Sequence, residues 1–229
     1  MDRAIELQVH DTNVQKLAQA DPRLGKLIPI IGDITILLRD NSFKALTKSI
    51  IGQQLSVKAA GTIYDRVEAL CHDITPESIL SIEDTELRKA GVSMPKITYL
   101  KDLSEKVLSK EMDFHGLRQF GNDTVIILLT HIKGIGKWTA EMFLIFTLGR
   151  MDVLSLGDVG LQRSAKWLYN LGKNEDGKKC LKEKSSLWFP YHTIASLYLW
   201  EAVNKGYVDS FGSLEELELH KAASGPPRT

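Results

Sequence analysis

Residues 129–140, LTHIKGIGKWTA, crowd two glycines, two lysines and a tryptophan around one turn, and Asp158 follows twenty residues beyond Trp138. These residue types read as a phosphate clamp placed beside a carboxylate. Gly134 and Gly136 have no Cβ, so their backbone can take φ > 0 and approach a ligand closely. A new helix starts at Trp138, so the glycine amides sit at its N-terminus, where orphan N–H groups and the helix dipole favour an anion. Lys133 and Lys137 add positive charge there. A bare G-x-G also fits an ordinary turn between two helices. Asp158 in turn precedes VGLQRSAKWL, another helix start, where the dipole favours a charged carboxylate. It fits a plain N-cap. Less commonly such a residue is a fixed charge that stabilises a developing cation or orients an attacking water, and one residue can do both. Large aromatics such as Trp138 and Trp200 are commonly core residues and are equally suited to walling a pocket.

The elements that must position these groups are helical. Apolar spacing of three and four predicts helices over 42–51, 57–70, 76–82, 84–89, 96–108, 122–129, 138–148, 159–168 and 190–203. Start signals agree: Ser42, Ser56, and Thr75 followed by Pro76. Few alternating segments compete, so the fold class expected is all-α. Breaks at residues 39–42 and 149–152 are the candidate boundaries, and residues 221–229, ending SGPPRT, are expected to be a disordered tail. No internal repeat is visible.

A chain of 229 residues with 43% apolar content can bury a substantial core. No apolar run is long enough to span a bilayer, and the start MDR lacks the character of a signal peptide, which points to an intracellular location without membrane attachment. Cys71 and Cys180 stand far apart with no partner at metal-ligand spacing, which excludes zinc or an iron–sulfur cluster held by four cysteines. Zero net charge argues against coating nucleic acid by bulk electrostatics, so any such affinity must come from local patches. Lys44, Lys48, Lys58, Lys96, Lys133, Lys137 and Lys166 are candidates, each of which also fits a merely solvated helix face. Asp152 reads as a solvated loop residue.

Four blocks in order carry a family resemblance: IIGQQLS (50–56), GIGKWTA (134–140), LGD (156–158), and WFPYH (188–192) with Trp200. Across roughly 21–207 the chain resembles the helix-hairpin-helix DNA glycosylase superfamily, and within it the 3-methyladenine glycosylase II type. The resemblance implies two helical subdomains flanking a cleft, here 42–149 with the hairpin, and 1–41 joined with 150–220. It makes Asp158 the catalytic carboxylate. Relatives that also nick the strand carry a lysine where this chain has Trp138, so the resemblance implies a monofunctional enzyme of base excision repair. Such an enzyme flips alkylated purines such as 3-methyladenine and 7-methylguanine, with deaminated purines a further class, and leaves an abasic site. Those methylated bases are cationic, which suits an indole face.

By the same resemblance, Trp138, Met142 and Trp200 line the substrate pocket. Gly134, Gly136, Lys133, Lys137 and Thr139 contact DNA, and Gln53, Gln54 and Leu55 form the loop that plugs the emptied stack, with Gln54 the best-aligned plug and Leu55 next. A structural Na+ or K+ held by the carbonyls of Thr130, Ile132 and Ile135 is implied, and no other cofactor. Trp188 and Tyr191 read as structural, and His192 replaces a common arginine. The partner implied is double-stranded DNA with damaged bases, bound by a monomer in the cytoplasm or nucleoid of a bacterium or the nucleus of a eukaryote. Two other readings stay open: a non-catalytic hairpin module that tethers something to DNA, and a bifunctional glycosylase-lyase. Asp158, Trp138 and the plug loop together favour the hydrolytic enzyme, because a tether needs only the hairpin.

Overall fold

A computed structural model describes residues 3–40 and 42–224. Within them the chain is dominated by helices, α1 to α14, with one two-stranded sheet. It divides into two compact units. The central unit comprises Arg3 and Leu38–Leu148; the terminal unit comprises Ala4–Leu37 and the chain from Gly149 onward.

The terminal unit opens with β1 (Ala4–Leu7), α1 (Thr12–Ala20), α2 (Pro22–Ile31) and β2 (Ile34–Leu37). The strands pair antiparallel with Ala4 opposite Leu37, and Ile5, Leu7 and Ile34 are buried. Strands of four residues leave too short an alternation to read from sequence. Asp21 caps α2, accepting from the Arg23 and Leu24 amides at 3.0 and 3.2 Å, and Pro22 occupies the first turn, where its missing N–H costs nothing. The unit continues with α10 (Val159–Leu168), α11 (Gly177–Trp188), α12 (His192–Asn204), α13 (Tyr207–Ser210) and α14 (Leu214–Ser224). Helix α12 is buried from Thr193 through Leu199 and again at Ala202, on nearly every face, so it is the core helix of this unit. Helix α14 corrects the expected tail. Leu214 and Leu217, three apart and fully buried, anchor it, and Lys221 lies over the Tyr207 ring, so helix persists to Ser224. The remainder of that tail, with Met1, Asp2 and Asn41, lies outside the described residues.

The central unit holds α3 (Ser42–Gly52), α4 (Val57–Cys71), α5 (Pro76–Ser81), α6 (Asp84–Ala90), α7 (Met94–Leu108), α8 (Asn122–Thr130) and α9 (Lys137–Phe143). Ser56 caps α4, and Thr75 with Ser78 forms a reciprocal capping box on α5. Helix α7 buries Ile97, Leu100 and Leu103 at spacing of three, placing it in the core against α3, α5 and α6. Helix α9 passes into a π-helical turn, Leu144–Leu148, that ends at Gly149 with φ 72°. Among the described residues no helix is long and apolar enough to cross a membrane. Cys71 and Cys180 are free thiols, both buried, and burial pushes each thiol's pKa up.

Candidate functional site

In the central unit the hairpin joins α8 to α9. Ile132 and Ile135 are buried, and the Ile135 amide donates to the Ile132 carbonyl at 3.1 Å to close the turn. Only Gly134 takes a left-handed conformation, φ 78°. A Cβ there would lie 2.1 Å from the Tyr99 ring, so the glycine is required both by its conformation and by the aromatic packed on it. Gly136 departs from expectation: its φ is −91° as the N-cap of α9, a conformation any residue adopts, and the space before it is open. Its lack of a side chain leaves room there rather than permitting a special backbone. The N-terminus of α9 follows directly on Gly136, so its dipole and first-turn amides are oriented toward an anion at the hairpin.

Asp102 on α7 was invisible as a site residue, since a charge on a helix usually reads as solvated. It is buried, and its carboxylate accepts from the Lys133 amide at 2.9 Å and from the Lys106 ammonium at 3.0 Å. Burial alone would raise its pKa, but the bonds from the Lys133 amide and from Lys106 outweigh it and hold the carboxyl below its ordinary value. The Lys133 ammonium stays exposed 3.4 Å from Asp102, and Lys137 is exposed 3.8 Å from Glu141. Thr139 is buried, so its side chain belongs to the packing. Trp138 is 49% exposed on α9, with Met142 half-buried one turn on.

The loop between α3 and α4 belongs to the same unit. The Gln53 side-chain amide donates to the Gly134 carbonyl at 2.7 Å, tying this loop to the hairpin. Gln54 is exposed with φ 58°, and Leu55 is 40% exposed. Lys96 does not offer its charge to solvent as expected: its ammonium donates to the carbonyls of Ile51 and Gln53, each at 2.8 Å. Lys44 pairs with Asp73, and Lys48 lies over the Tyr64 ring.

In the terminal unit, Asp158 caps α10 and is 9% exposed. Its Oδ1 accepts from the Leu161 amide at 2.8 Å and from the Trp200 indole N–H at 3.1 Å. Trp200 thus orients the carboxylate. Gly160 lets the two lie close to α10, since a Cβ there would stand 3.1 Å from Oδ1 and 3.6 Å from the indole. The loop before α10 is fixed from Gln162, whose amide side chain donates to the Leu156 carbonyl at 2.7 Å. Asp152, expected to be solvated, instead pairs with His192 Nδ1, while Nε2 of that ring lies 2.9 Å from the Ser185 carbonyl. His192 therefore ties the start of α12 to α11 and to the loop after Gly149. Lys166 is also used locally, donating to the Lys173 carbonyl at 3.0 Å.

Trp188 is fully buried and donates to Asp21 Oδ2 at 2.8 Å, and the Tyr169 hydroxyl donates to the same oxygen. Burial, with the Asp21 charge beside it, pushes the Tyr169 hydroxyl well above the ordinary phenol range, so it remains a donor. Asp21 thus satisfies two helix amides and two side chains from inside the core. Asp21→Ala is expected to lower stability by about 3 kcal/mol, since several buried donors lose their acceptor at once. Denaturant unfolding monitored by circular dichroism measures it.

Residues 47–190 match the HhH-GPD superfamily base excision DNA repair proteins. DNA-3-methyladenine glycosylase 1 of Schizosaccharomyces pombe is 31% identical over 192 residues, covering 81% of this chain and 84% of that protein. The crystal structure of a DNA-3-methyladenine glycosidase from Bacillus halodurans has a TM-score of 0.87 at 46% identity, covering 95% of this chain and 100% of that one. A 3-methyladenine DNA glycosylase of Schizosaccharomyces pombe in complex with abasic DNA has a TM-score of 0.73 at 29% identity, covering 85% and 97%. The match spans the hairpin, Asp158 and the aromatic block through Pro190, and the chain belongs to the HhH-GPD superfamily of base excision DNA repair proteins.

Proposed function

We propose that this chain is a monofunctional DNA glycosylase that binds damaged double-stranded DNA, extrudes alkylated purines such as 3-methyladenine and 7-methylguanine, and hydrolyses their glycosidic bond to leave an abasic site. The observation that carries the reading is Asp158, a buried carboxylate locked by the Leu161 amide and the Trp200 indole, in a chain of this family. As the bond from C1′ to the base breaks, its electron pair leaves on the base and the sugar gains oxocarbenium character. A fixed negative charge stabilises that cation, and water then adds to C1′ and gives up a proton to solvent, leaving the neutral hemiacetal of the abasic sugar. A base methylated at N3 or N7 is already cationic and departs neutral, so no general acid is required.

Trp138 supports the same reading twice. It stands where a Schiff-base lysine would be needed for strand nicking. Its half-exposed indole also offers a cationic base stacking and cation–π energy of about 1 to 2 kcal/mol. The hairpin's amides with Lys133 and Lys137 hold a phosphate, and Gln54 or Leu55 fills the emptied stack. A monovalent cation fits the hairpin. Thr130 ends α8, where final carbonyls lack intrahelical partners, and Ile132 keeps a lone pair beyond its bond to Ile135. Among the described residues no cluster of His, Cys, Asp or Glu is built for a metal ion, so the donors on offer are neutral carbonyls. The carbonyls of Thr130, Ile132 and Ile135 would hold Na+ or K+ there, which would supply positive charge toward a DNA phosphate.

Duplex DNA methylated at purine nitrogens tests the reading. The protein should release 3-methyladenine and 7-methylguanine as free bases, identified by chromatography. Binding without release would leave the tether. Trp200→Phe keeps an aromatic face but removes the donor to Asp158. It is expected to lower kcat about tenfold with KM within about twofold, the pattern of a lost transition-state contact. Steady-state kinetics on a single-lesion duplex measures the split.

A further inference from the structure

We propose that Lys96 is a positioning residue for the loop that fills the DNA stack, and that α7 sets this loop and the hairpin at a fixed spacing. The inference rests on the excision reading above. Lys96, Tyr99 and Asp102 lie three residues apart in turn, on one side of α7. Each holds a different part of the DNA-facing apparatus of the central unit. Lys96 donates to the carbonyls of Ile51 and Gln53 at 2.8 Å, drawing together the end of α3 and the start of the loop. Tyr99 packs on Gly134, leaving no room for a Cβ. Asp102 accepts from the Lys133 amide at 2.9 Å. Gln53 closes the circuit by donating to the Gly134 carbonyl at 2.7 Å.

The loop needs such a hold. Gln54 sits at φ 58°, a left-handed conformation that a residue with a Cβ adopts only at a cost. The side chains beyond it are unusually bare, with Leu55 40% and Val57 92% exposed. A loop that pushes a side chain into stacked DNA must be ordered beforehand, or ordering it consumes the binding energy needed to unstack the bases. Two charge-assisted bonds from one ammonium, one to the last turn of α3 and one to the start of the loop, supply that order. Burial lowers the pKa of Lys96 from the ordinary lysine value, as expected for a charge turned inward rather than toward solvent or phosphate.

The test uses a duplex with a tetrahydrofuran abasic analogue beside 2-aminopurine, whose emission rises when an inserted side chain disrupts the probe's own stacking. The full chain should raise that emission on binding. Lys96→Met should lose most of the rise and lower kcat on a 7-methylguanine duplex about tenfold, while affinity for undamaged duplex stays within about twofold. Lys96→Arg, which keeps donors that can reach both carbonyls, should recover most of the rise. If Lys96→Met lowers Tm by more than about 10 °C, Lys96→Gln is read in the same way. A Lys96→Met protein that unstacks the probe as wild type does overturns the assignment. Failure of the excision reading has a different signature, a wild type that releases no base.

Discussion

Asp158→Asn is expected to lower the single-turnover rate of base excision about a thousandfold, the scale seen when one electrostatic partner of a transition state is removed. The substitution is close to isosteric. Asparagine is as good an N-cap as aspartate, so the Leu161 amide and the Trp200 indole both retain an oxygen acceptor at the Oδ1 position. What is lost is the negative charge, with the second carboxylate oxygen exchanged for an NH2 group. Stability should therefore change by less than about 1 kcal/mol, and affinity for undamaged duplex should not fall, since removing an anion does not weaken attraction to phosphates. Rapid-quench excision and thermal unfolding, measured on the same preparations, separate the two effects. A variant that folds normally and excises at the wild-type rate would show that the charge plays no part in the reaction.

Gly134→Ala is expected to weaken DNA binding at least about tenfold, a loss of about 1.4 kcal/mol or more. Two costs add. The left-handed φ of 78° penalises any residue with a Cβ by about 1 to 2 kcal/mol. The new methyl would also overlap the Tyr99 ring at 2.1 Å, so either the ring or the turn must move. Either movement disturbs the amides proposed to hold a phosphate. Gly136→Ala makes the informative contrast. That residue has φ −91° and nothing within 4 Å of the added carbon, so folding stability should stay within about 0.5 kcal/mol of wild type. DNA affinity should still fall, because the methyl occupies the space a phosphate approaches. Fluorescence anisotropy at one stated salt concentration, with Tm measured alongside, distinguishes the strained glycine from the merely open one.

Much of the helical framework was legible because apolar spacing of three and four is a strong local signal. The segments read from sequence at 42–51, 57–70 and 159–168 correspond to α3, α4 and α10 to within about a residue at each end. Others were not. Helix α11, GKKCLKEKSSLW, carries so many lysines that its buried Cys180, Leu181 and Trp188, with the exposed Leu187, give little helical periodicity to read. The π-helical turn at Leu144–Leu148 follows α9 without any change in composition, and a shift from four-residue to five-residue bonding leaves no mark in an apolar run.

The candidate site was legible where a residue announces itself through its neighbours and illegible where its partner is remote. Asp158 could be read as a cap from the helix that follows it. Its second bond, to Trp200 forty-two residues later, could not. Lys96 reads from sequence as a solvated or DNA-facing charge and nothing there marks Asp102; apart from Lys106, one turn from Asp102, their partners lie more than thirty residues away, and only folding brings them into reach. Gly134 and Gly136 were indistinguishable as letters. The structure separates them by one left-handed φ and by the ring of Tyr99, whose place above Gly134 nothing in the local sequence encodes.

The most direct test of hydrolytic excision uses a duplex carrying one 7-methylguanine and scores its strand before and after treatment with alkali. The account predicts that wild type releases the free base and leaves the strand intact until alkali breaks it at the abasic site, with no covalent protein–DNA adduct trapped by borohydride. Direct nicking, or a trapped adduct, would contradict the assignment of Trp138 and require a Schiff-base amine elsewhere. An intact base on bound DNA would contradict excision itself.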